Sequence, residues 1–154
     1  IVDARIVTSL GGMTLDTFQV LDAGMAQVSP EQRAATVVEQ LRDSLTQTGK
    51  IRAPARRVMS RQMRHFRVPV QIEFSEEAAG TQMSLVCNDR PGLLAHVAAL
   101  LHAHRIRVHD ARIATFGERV EDFFLLTNDA NQSLSGAQRD QLSTAISAVL
   151  DVNG

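Results

Sequence analysis

Apolar residues alternate with polar ones along several short segments of the chain. Val2, Ala4 and Ile6 set the pattern at the start, and it recurs in later segments. Successive side chains of a strand point to opposite faces, so the pattern predicts half-buried strands. The segments are 2–6, 15–21, 68–74, 83–87, 106–115 and 120–127. Pro69 places the start of the third predicted strand, 68–74, at a sheet edge or entry point.

Three other segments carry apolar residues at helical spacing, with one stripe each. The first stripe is Ala34, Val37, Val38, Leu41 and Leu45; the second is Leu94, Val97, Ala98 and Leu101; the third is Leu142, Ala145, Ile146, Val149 and Leu150. Ser29 and Ser135 precede the first and third helices, each with glutamine three residues on, which predicts capping boxes. The stripes suit helices that lie on one face of a sheet.

Part of the sequence occurs twice along the chain. Asp3-Ala4-Arg5-Ile6 recurs as Asp110-Ala111-Arg112-Ile113, residues 15–18 align with 121–124, and residues 29–32 align with 135–138. We interpret this as a repeated strand-turn-strand-helix unit. The segment 67–154 then reads β-β-α-β-β-α, a four-stranded antiparallel sheet with two helices on one face. The segment 1–49 supplies only β-β-α.

Two strands and one helix bury too little surface to stand alone. We expect the rest of the first unit to precede Ile1, and since no initiator methionine is present, we expect a piece of a longer protein. Without those missing elements, the first unit must pack against the second unit, pack against another chain, or remain loosely packed on itself.

A basic segment, 50–66, joins the two units. Lysine and arginine occur throughout it and acidic residues do not. It could bind an acidic partner or nucleic acid, or simply tether the units. The net charge of the whole chain is -1, which gives no general attraction to nucleic acid. We therefore favour a linker.

Several reactive side chains have ordinary interpretations. Cys87 is the single cysteine, so it forms no internal disulfide, and its alternation with Leu85 predicts burial. Four of the five histidines are not at metal-ligand spacing, and we expect them at the surface or at a pocket edge; they are His96, His102, His104 and His109. Asp122 is expected to bond locally or to Arg112. No catalytic or metal constellation is apparent, and no cofactor is expected.

The segment Asn88-Asp89-Arg90-Pro91-Gly92-Leu93-Leu94 opens the second predicted helix. Asp89 is predicted to cap the helix, and Pro91 to occupy its first turn. Gly92 lets a ligand approach the backbone closely. A helix N-terminus has unpaired N–H groups and a partial positive charge, so it can hold a carboxylate. Taken alone, these residues are also what an ordinary well-capped helix start needs.

This segment, with its surrounding strands and helices, resembles an ACT domain. The resemblance implies an α+β, ferredoxin-like fold that binds amino acids in a pocket between the glycine loop and the following strand. The candidate ligand-binding residues carried over are Asn88, Asp89, Arg90, Pro91, Gly92, Leu93, His109, Asp110, Ala111 and Arg112. The usual last strand would follow the final helix, where only residues 151–154 remain. We therefore predict a permuted module in which segment 68–74 fills that place.

Residues 110–124 resemble the last ACT domain of a narrower family, the bifunctional uridylyltransferase/uridylyl-removing enzymes, and residues 3–6 and 15–18 resemble the end of its penultimate ACT domain. The family implies glutamine sensing, with the nitrogen-regulatory PII protein as the parent enzyme's partner. It also implies upstream nucleotidyltransferase and phosphohydrolase domains that need Mg or Mn, while this chain carries no catalytic residue. A bacterial cytoplasmic location and a homodimer formed through ACT sheets or helices are further expectations.

Two functions follow from these observations. The first is a regulatory sensor that binds an amino acid and biases upstream catalytic domains. The second is an interaction or dimerisation module that docks through its sheet edges without a small ligand.

Overall fold

The structure, a computed structural model, describes residues 1–9, 11–20, 29–46 and 68–151. The chain divides into two compact units, one formed by Ile1–Val20 with Pro54–Gly154 and the other by Leu21–Ala53. The predicted basic linker, 50–66, lies outside the described residues. The domain boundaries at 49 and 67 stay a prediction.

The described residues form six strands and three helices in the predicted order. They are β1 Asp3–Thr8, β2 Thr14–Gln19, α1 Pro30–Thr46, β3 Gln71–Glu77, β4 Gly80–Asn88, α2 Leu93–Ala103, β5 Arg107–Phe116, β6 Arg119–Thr127 and α3 Gly136–Asp151. All six strands join one antiparallel sheet in the order β2-β1-β5-β6-β4-β3. The predicted α+β class is confirmed.

Helix α1, which belongs to the compact unit Leu21–Ala53, begins after Ser29. The side-chain oxygen of Ser29 accepts a hydrogen bond from the backbone N–H of Gln32 at 3.3 Å, which satisfies one unpaired group of the first turn. That the apolar stripe of α1 packs on a sheet stays a prediction.

The capping box of α3 is complete. The Ser135 hydroxyl oxygen accepts a hydrogen bond from the backbone N–H of Gln138 at 3.3 Å, and Gln138 Oε1 accepts one from the Ser135 backbone N–H at 3.0 Å. Each residue therefore satisfies a backbone donor of the other. Both predicted serine caps are present.

The first hairpin, β1–β2, packs against the second copy of the sequence repeat. Strand β1 pairs with β2 on one side and with β5 on the other. Of the three arrangements that the sequence left open for this hairpin, contact with the second copy is therefore the one observed. The two copies also share their register: Ile6 lies opposite Asp16, and Ile113 lies opposite Asp122. The sequence repeat is therefore a structural repeat.

Strand β3 occupies the place predicted for a permuted edge strand, antiparallel to β4. It begins at Gln71, after Pro69, and continues to Glu77, three residues past the predicted end at residue 74. Gly80 follows the turn at φ 148°, where an added Cβ would lie 2.5 Å from the Leu126 carbonyl oxygen. Only glycine fits this close approach between neighbouring strands.

The core lies between one face of the sheet and helices α2 and α3, which pack against each other. The buried sheet residues include Met83, Leu85, Cys87, Phe124 and Leu126, and the buried helix residues include Leu93, Val97, Leu101, Leu142, Ile146 and Leu150. The predicted burial of Cys87 is confirmed. Ala98 was placed in the buried stripe but is exposed, because the stripe of α2 runs through Leu93, Val97 and Leu101 instead.

None of the three described helices has the length and apolar character that crossing a bilayer would require.

Candidate functional site

The loop between β4 and α2 is tied to neighbouring segments by hydrogen bonds. Asn88 Oδ1 accepts from the backbone N–H of Val68 at 2.8 Å, and Asn88 Nδ2 donates to the Glu118 carbonyl at 3.4 Å. The backbone N–H of Asp89 donates to the same carbonyl at 2.8 Å. The β5–β6 turn and the segment before β3 therefore hold the entrance to α2 in place.

Helix α2 starts later than the sequence indicated. Its N-cap is Gly92, at φ 80°, and no side chain caps the helix. The prediction that Asp89 caps the helix is wrong, and so is the placement of Pro91 in its first turn. The left-handed conformation at position 92 is open to glycine at little cost, and it turns the chain into the helix after the proline.

This start leaves backbone donors unused. The first N–H groups of any α-helix lack partners within the helix. The amides of Leu94 and Ala95 donate no hydrogen bond within the described part of the chain. Both residues line a cavity of about 210 Å³. The helix start therefore presents unpaired donors, with the positive end of the helix dipole, to an open space.

The cavity is bounded by the loop, the first turn of α2, two strands and the start of the chain. Its lining residues are Ile1, Asp89, Arg90, Gly92, Leu93, Leu94, Ala95, Ile113, Thr115, Val120 and Asp122. All of them belong to one compact unit.

Arg90 connects the cavity to the end of α3. Its Nη2 donates to the Leu150 carbonyl at 2.5 Å, where the last carbonyls of a helix lack partners of their own. Its Nη1 is buried and has no hydrogen-bond partner among the residues that the structure describes. One half of the guanidinium group is thus held by α3, while the other half is buried without a hydrogen-bond partner in the described part of the chain.

Asp122 is the buried acid of the site. Its side chain is 1% exposed, and neither carboxylate oxygen finds a hydrogen-bond partner in the described ranges. Burial raises the pKa of Asp122 to about 7; the backbone N–H of Ala114, close to the carboxylate but outside hydrogen-bond geometry, opposes this shift, and the charge of Asp89 adds to it. The expected bond to Arg112 is wrong, because Arg112 lies opposite Phe123 and so points to the other face of the sheet.

Cys87 lies beside this group and is fully buried. Burial raises the pKa of its thiol to about 11, with the charges of Asp122 and Asp89 adding to the shift and that of Arg90 opposing it. The thiolate is the nucleophilic form of cysteine, so the protonated thiol of Cys87 is unreactive as a nucleophile near neutral pH.

The structure brings four of the ten carried-over residues to the cavity: Asp89, Arg90, Gly92 and Leu93. Asn88 anchors the loop, and Pro91 is exposed just before the helix. The four strand candidates lie elsewhere. His109 Nε2 is 2.7 Å from the Thr127 hydroxyl, Ala111 is in the core, Arg112 is exposed, and Asp110 lines a second hollow.

The strand residues that do line the cavity are Ile113, Thr115, Val120 and Asp122. None of them was among the sequence candidates. The signal that could have identified Asp122 is the alternation Val120, Asp122, Phe124, which places it on the same face as two core residues.

The second hollow, of about 380 Å³, is larger. It is lined by Glu77, Ala78, Ala79, Gln82, Asp110, Phe123, Phe124 and Leu125. Gln82 and Phe123 alternate with buried residues and lie on the face that no described helix of this unit covers. The hollow contains no helix start and no unpaired buried charge within the described residues, so the smaller cavity is the better candidate site.

Across the described residues, histidine, cysteine and acidic side chains do not come together in groups of three that could hold a metal ion.

Comparisons with known proteins agree with this geometry. Residues 81–138, which span the cavity's loop and strands, match the ACT domain family. The chain is 46% identical over 151 residues to the bifunctional uridylyltransferase/uridylyl-removing enzyme of Xanthomonas axonopodis pv. citri, covering 96% of this chain and 17% of that protein. The enzyme of the same name from Legionella pneumophila is 40% identical over 139 residues, covering 89% of this chain and 16% of that protein.

This chain therefore spans about one sixth of the length of the curated relatives it matches. No solved structure gives a significant match. The chain contains an ACT domain, and nearly its whole length is similar to a segment of the bifunctional uridylyltransferase/uridylyl-removing enzymes.

Proposed function

We propose that this chain is the amino-acid-sensing region, with glutamine as its ligand, of a cytoplasmic bacterial enzyme that uridylylates and deuridylylates the PII protein. The observation that carries the proposal is the cavity at the start of α2, where unpaired backbone amides meet an unpaired guanidinium nitrogen. Such a helix start favours a carboxylate. The uridylylating activity is the one for which the relatives are named. In this proposal the catalytic domains, with their divalent metal, lie outside this chain.

The cavity has the size and the polarity for a free amino acid. Its volume of about 210 Å³ is smaller than the pockets that hold drug-sized ligands, which begin at about 300 Å³, and so suits a smaller molecule. The ligand carboxylate faces the amides of Leu94 and Ala95 and Nη1 of Arg90. The ligand ammonium group faces the acidic residues of the same cavity, Asp89 and Asp122. Asp110, which the sequence offered as a third acid, lines the other hollow.

The position of the cavity supports a regulatory role. Ile1, at the start of the first repeat copy, lines it together with the loop of the second copy. A ligand there contacts both copies and stabilises the arrangement in which they close around it. Regulation requires such a difference in affinity between two arrangements, and the upstream catalytic domains are the partners that it biases.

Calorimetric titration of the full-length protein with L-glutamine, up to millimolar concentrations, tests the proposal. Ala95→Leu adds bulk inside the cavity and is expected to abolish the binding heat. Ala137→Leu adds the same atoms at an exposed position of α3 and is expected to leave it unchanged. The proposal fails if the parent shows no binding heat, or if Ala95→Leu binds as the parent does.

The alternative function is docking to a second copy of this chain without a small ligand. Strand β2 favours it, because its outer edge has no partner strand in the described sheet and its Leu15 is 73% exposed. Light scattering discriminates the two functions. A concentration-dependent dimer whose stability is the same with and without L-glutamine supports docking.

A further inference from the structure

Asp122 interrupts a row of apolar residues that crosses the whole core face of the sheet. Along this row, Ala4 of β1 lies opposite Ile113, Ile113 lies opposite Asp122, Asp122 lies opposite Leu85, and Leu85 lies opposite Ile72. A carboxylate in such a place is costly unless something pairs with it. The backbone of Ala114 lies close enough to lower the pKa of this carboxyl group, but no donor among the described residues has hydrogen-bond geometry to either oxygen.

Asp122 is one of the residues that line the cavity, and both of its carboxylate oxygens are themselves buried. Each packed element contributes few charged groups. The loop contributes Asp89 and Arg90, β4 contributes the Cys87 thiol, and β5 contributes Ile113 and Thr115, which do not ionise near neutral pH.

The helices add little charge that could neutralise Asp122. His96 of α2 turns its ring Nδ1 to the Gly92 carbonyl at 2.8 Å. At this end, α3 contributes the Leu150 carbonyl, which Arg90 already occupies. No cationic side chain of the described elements therefore pairs with the buried acid.

We propose that Asp122 is the counter-charge for the ammonium group of the bound amino acid, and that binding expels the proton which this carboxyl group carries in the empty site. The inference rests on the proposed function, because it assumes an amino acid in this cavity. It explains both buried groups that lack partners. Arg90 Nη1 receives the ligand carboxylate, and Asp122 receives the ligand ammonium group.

The proton balance is simple. In the empty site, burial keeps the Asp122 carboxyl group partly protonated at neutral pH. On binding, its O–H bond breaks and the proton leaves to solvent. The ligand ammonium group keeps its three protons and pairs with the carboxylate formed. Ligand affinity therefore rises with pH until the empty site is already ionised, by about tenfold between pH 6 and pH 8 for one linked group.

The test is calorimetric titration of the full-length protein with L-glutamine at pH 7, in phosphate and in Tris. These buffers differ in ionisation enthalpy, so the difference in heat measures the protons released. We expect about half a proton per ligand at pH 7 and nearly one at pH 6. Asp122→Asn is expected to abolish the release and to weaken binding by roughly tenfold or more.

Two controls isolate the site. Asp140→Asn removes an exposed carboxylate of α3 and is expected to behave as the parent does. The probe 4-carbamoylbutanoate keeps the carboxylate and amide of glutamine but lacks the ammonium group. It should bind without proton release and with the same affinity for the parent and for Asp122→Asn.

Glutamine binding without proton release overturns this inference and leaves the sensing proposal intact. Proton release that persists in Asp122→Asn also overturns it. An absence of glutamine binding in the parent overturns both proposals. If Asp122→Asn fails to fold, the two-buffer measurement on the parent decides alone, because it needs no variant.

Discussion

Arg5 and Arg112 lie directly opposite each other where β1 pairs with β5. They are also equivalent residues of the sequence repeat. The same holds one step away on each side, because Ala4 pairs with Ile113 and Ile6 pairs with Ala111. The two hairpins are therefore related by a local two-fold axis between the two arginines, and one chain builds the self-complementary contact that usually joins two identical subunits.

This symmetry makes Phe18 and Phe124 equivalent, yet their surroundings differ. Phe124 is 3% exposed, while Phe18 is 44% exposed. Phe124→Ala should lower the free energy of unfolding by about 3–5 kcal/mol. Phe18→Ala should change it by roughly 0.5 kcal/mol or less. Denaturant unfolding of the 154-residue chain, followed by circular dichroism, measures both changes.

A large loss for Phe18→Ala would contradict this expectation. Repeating the measurement at several protein concentrations provides the control, since a loss that grows with concentration indicates that Phe18 is covered by another copy of the chain.

The raised pKa of Asp122 makes stability depend on pH. The ordinary value is 3.8 and the folded value is about 7, so between these limits the folded chain binds more protons than the unfolded chain. Stability from this group is present at low pH and is lost as pH rises through about 7, by roughly 4 kcal/mol in total. Asp122→Asn cannot ionise, so its stability relative to the parent should rise over this range. Thermal and urea unfolding from pH 4 to pH 8 measure the difference.

Asp140→Asn is the matched control, because Asp140 is exposed. Its stability relative to the parent should be flat across the same pH range. A flat difference for Asp122→Asn as well would mean that Asp122 is ionised in the folded chain throughout, or has a partner in solution.

The single cysteine gives a direct probe of the same region. Cys87 is 0% exposed, and burial raises the pKa of its thiol to about 11. We expect it to react with Ellman's reagent at pH 8 only when the chain opens. The assay compares native protein with protein in guanidinium chloride, and prompt labelling of the native protein would contradict the burial.

The sequence predicted the elements well because each has a local cause. The capping box at Ser135 and Gln138 and the alternation through Met83, Leu85 and Cys87 depend on residues close in the chain. The pairing of β1 with β5 has no such signal, since a repeat shows that two segments are alike and not that they touch. That pairing is a contact between residues more than a hundred positions apart.

The site was predicted less completely for a related reason. The loop 88–93 was located, but the left-handed Gly92 moved the helix start past Asp89 and Pro91. Asp122 was expected to bond locally or to Arg112, although its alternation with Val120 and Phe124 placed it on the core face of the sheet, away from Arg112.

Arg90 should hold the end of α3 as well as the ligand. Its Nη2 donates to the Leu150 carbonyl, and its charge favours the negative end of the helix dipole. Arg90→Ala should therefore speed amide hydrogen exchange in the last turn of α3 and leave the first turn unchanged. Arg139→Ala is the matched control, because Arg139 Nε donates to the Leu134 carbonyl at 2.9 Å beside the first turn. It should show the reverse pattern. Faster exchange along the whole helix in Arg90→Ala would mean that Arg90 supports the fold in general, since a cap acts on the end that it contacts.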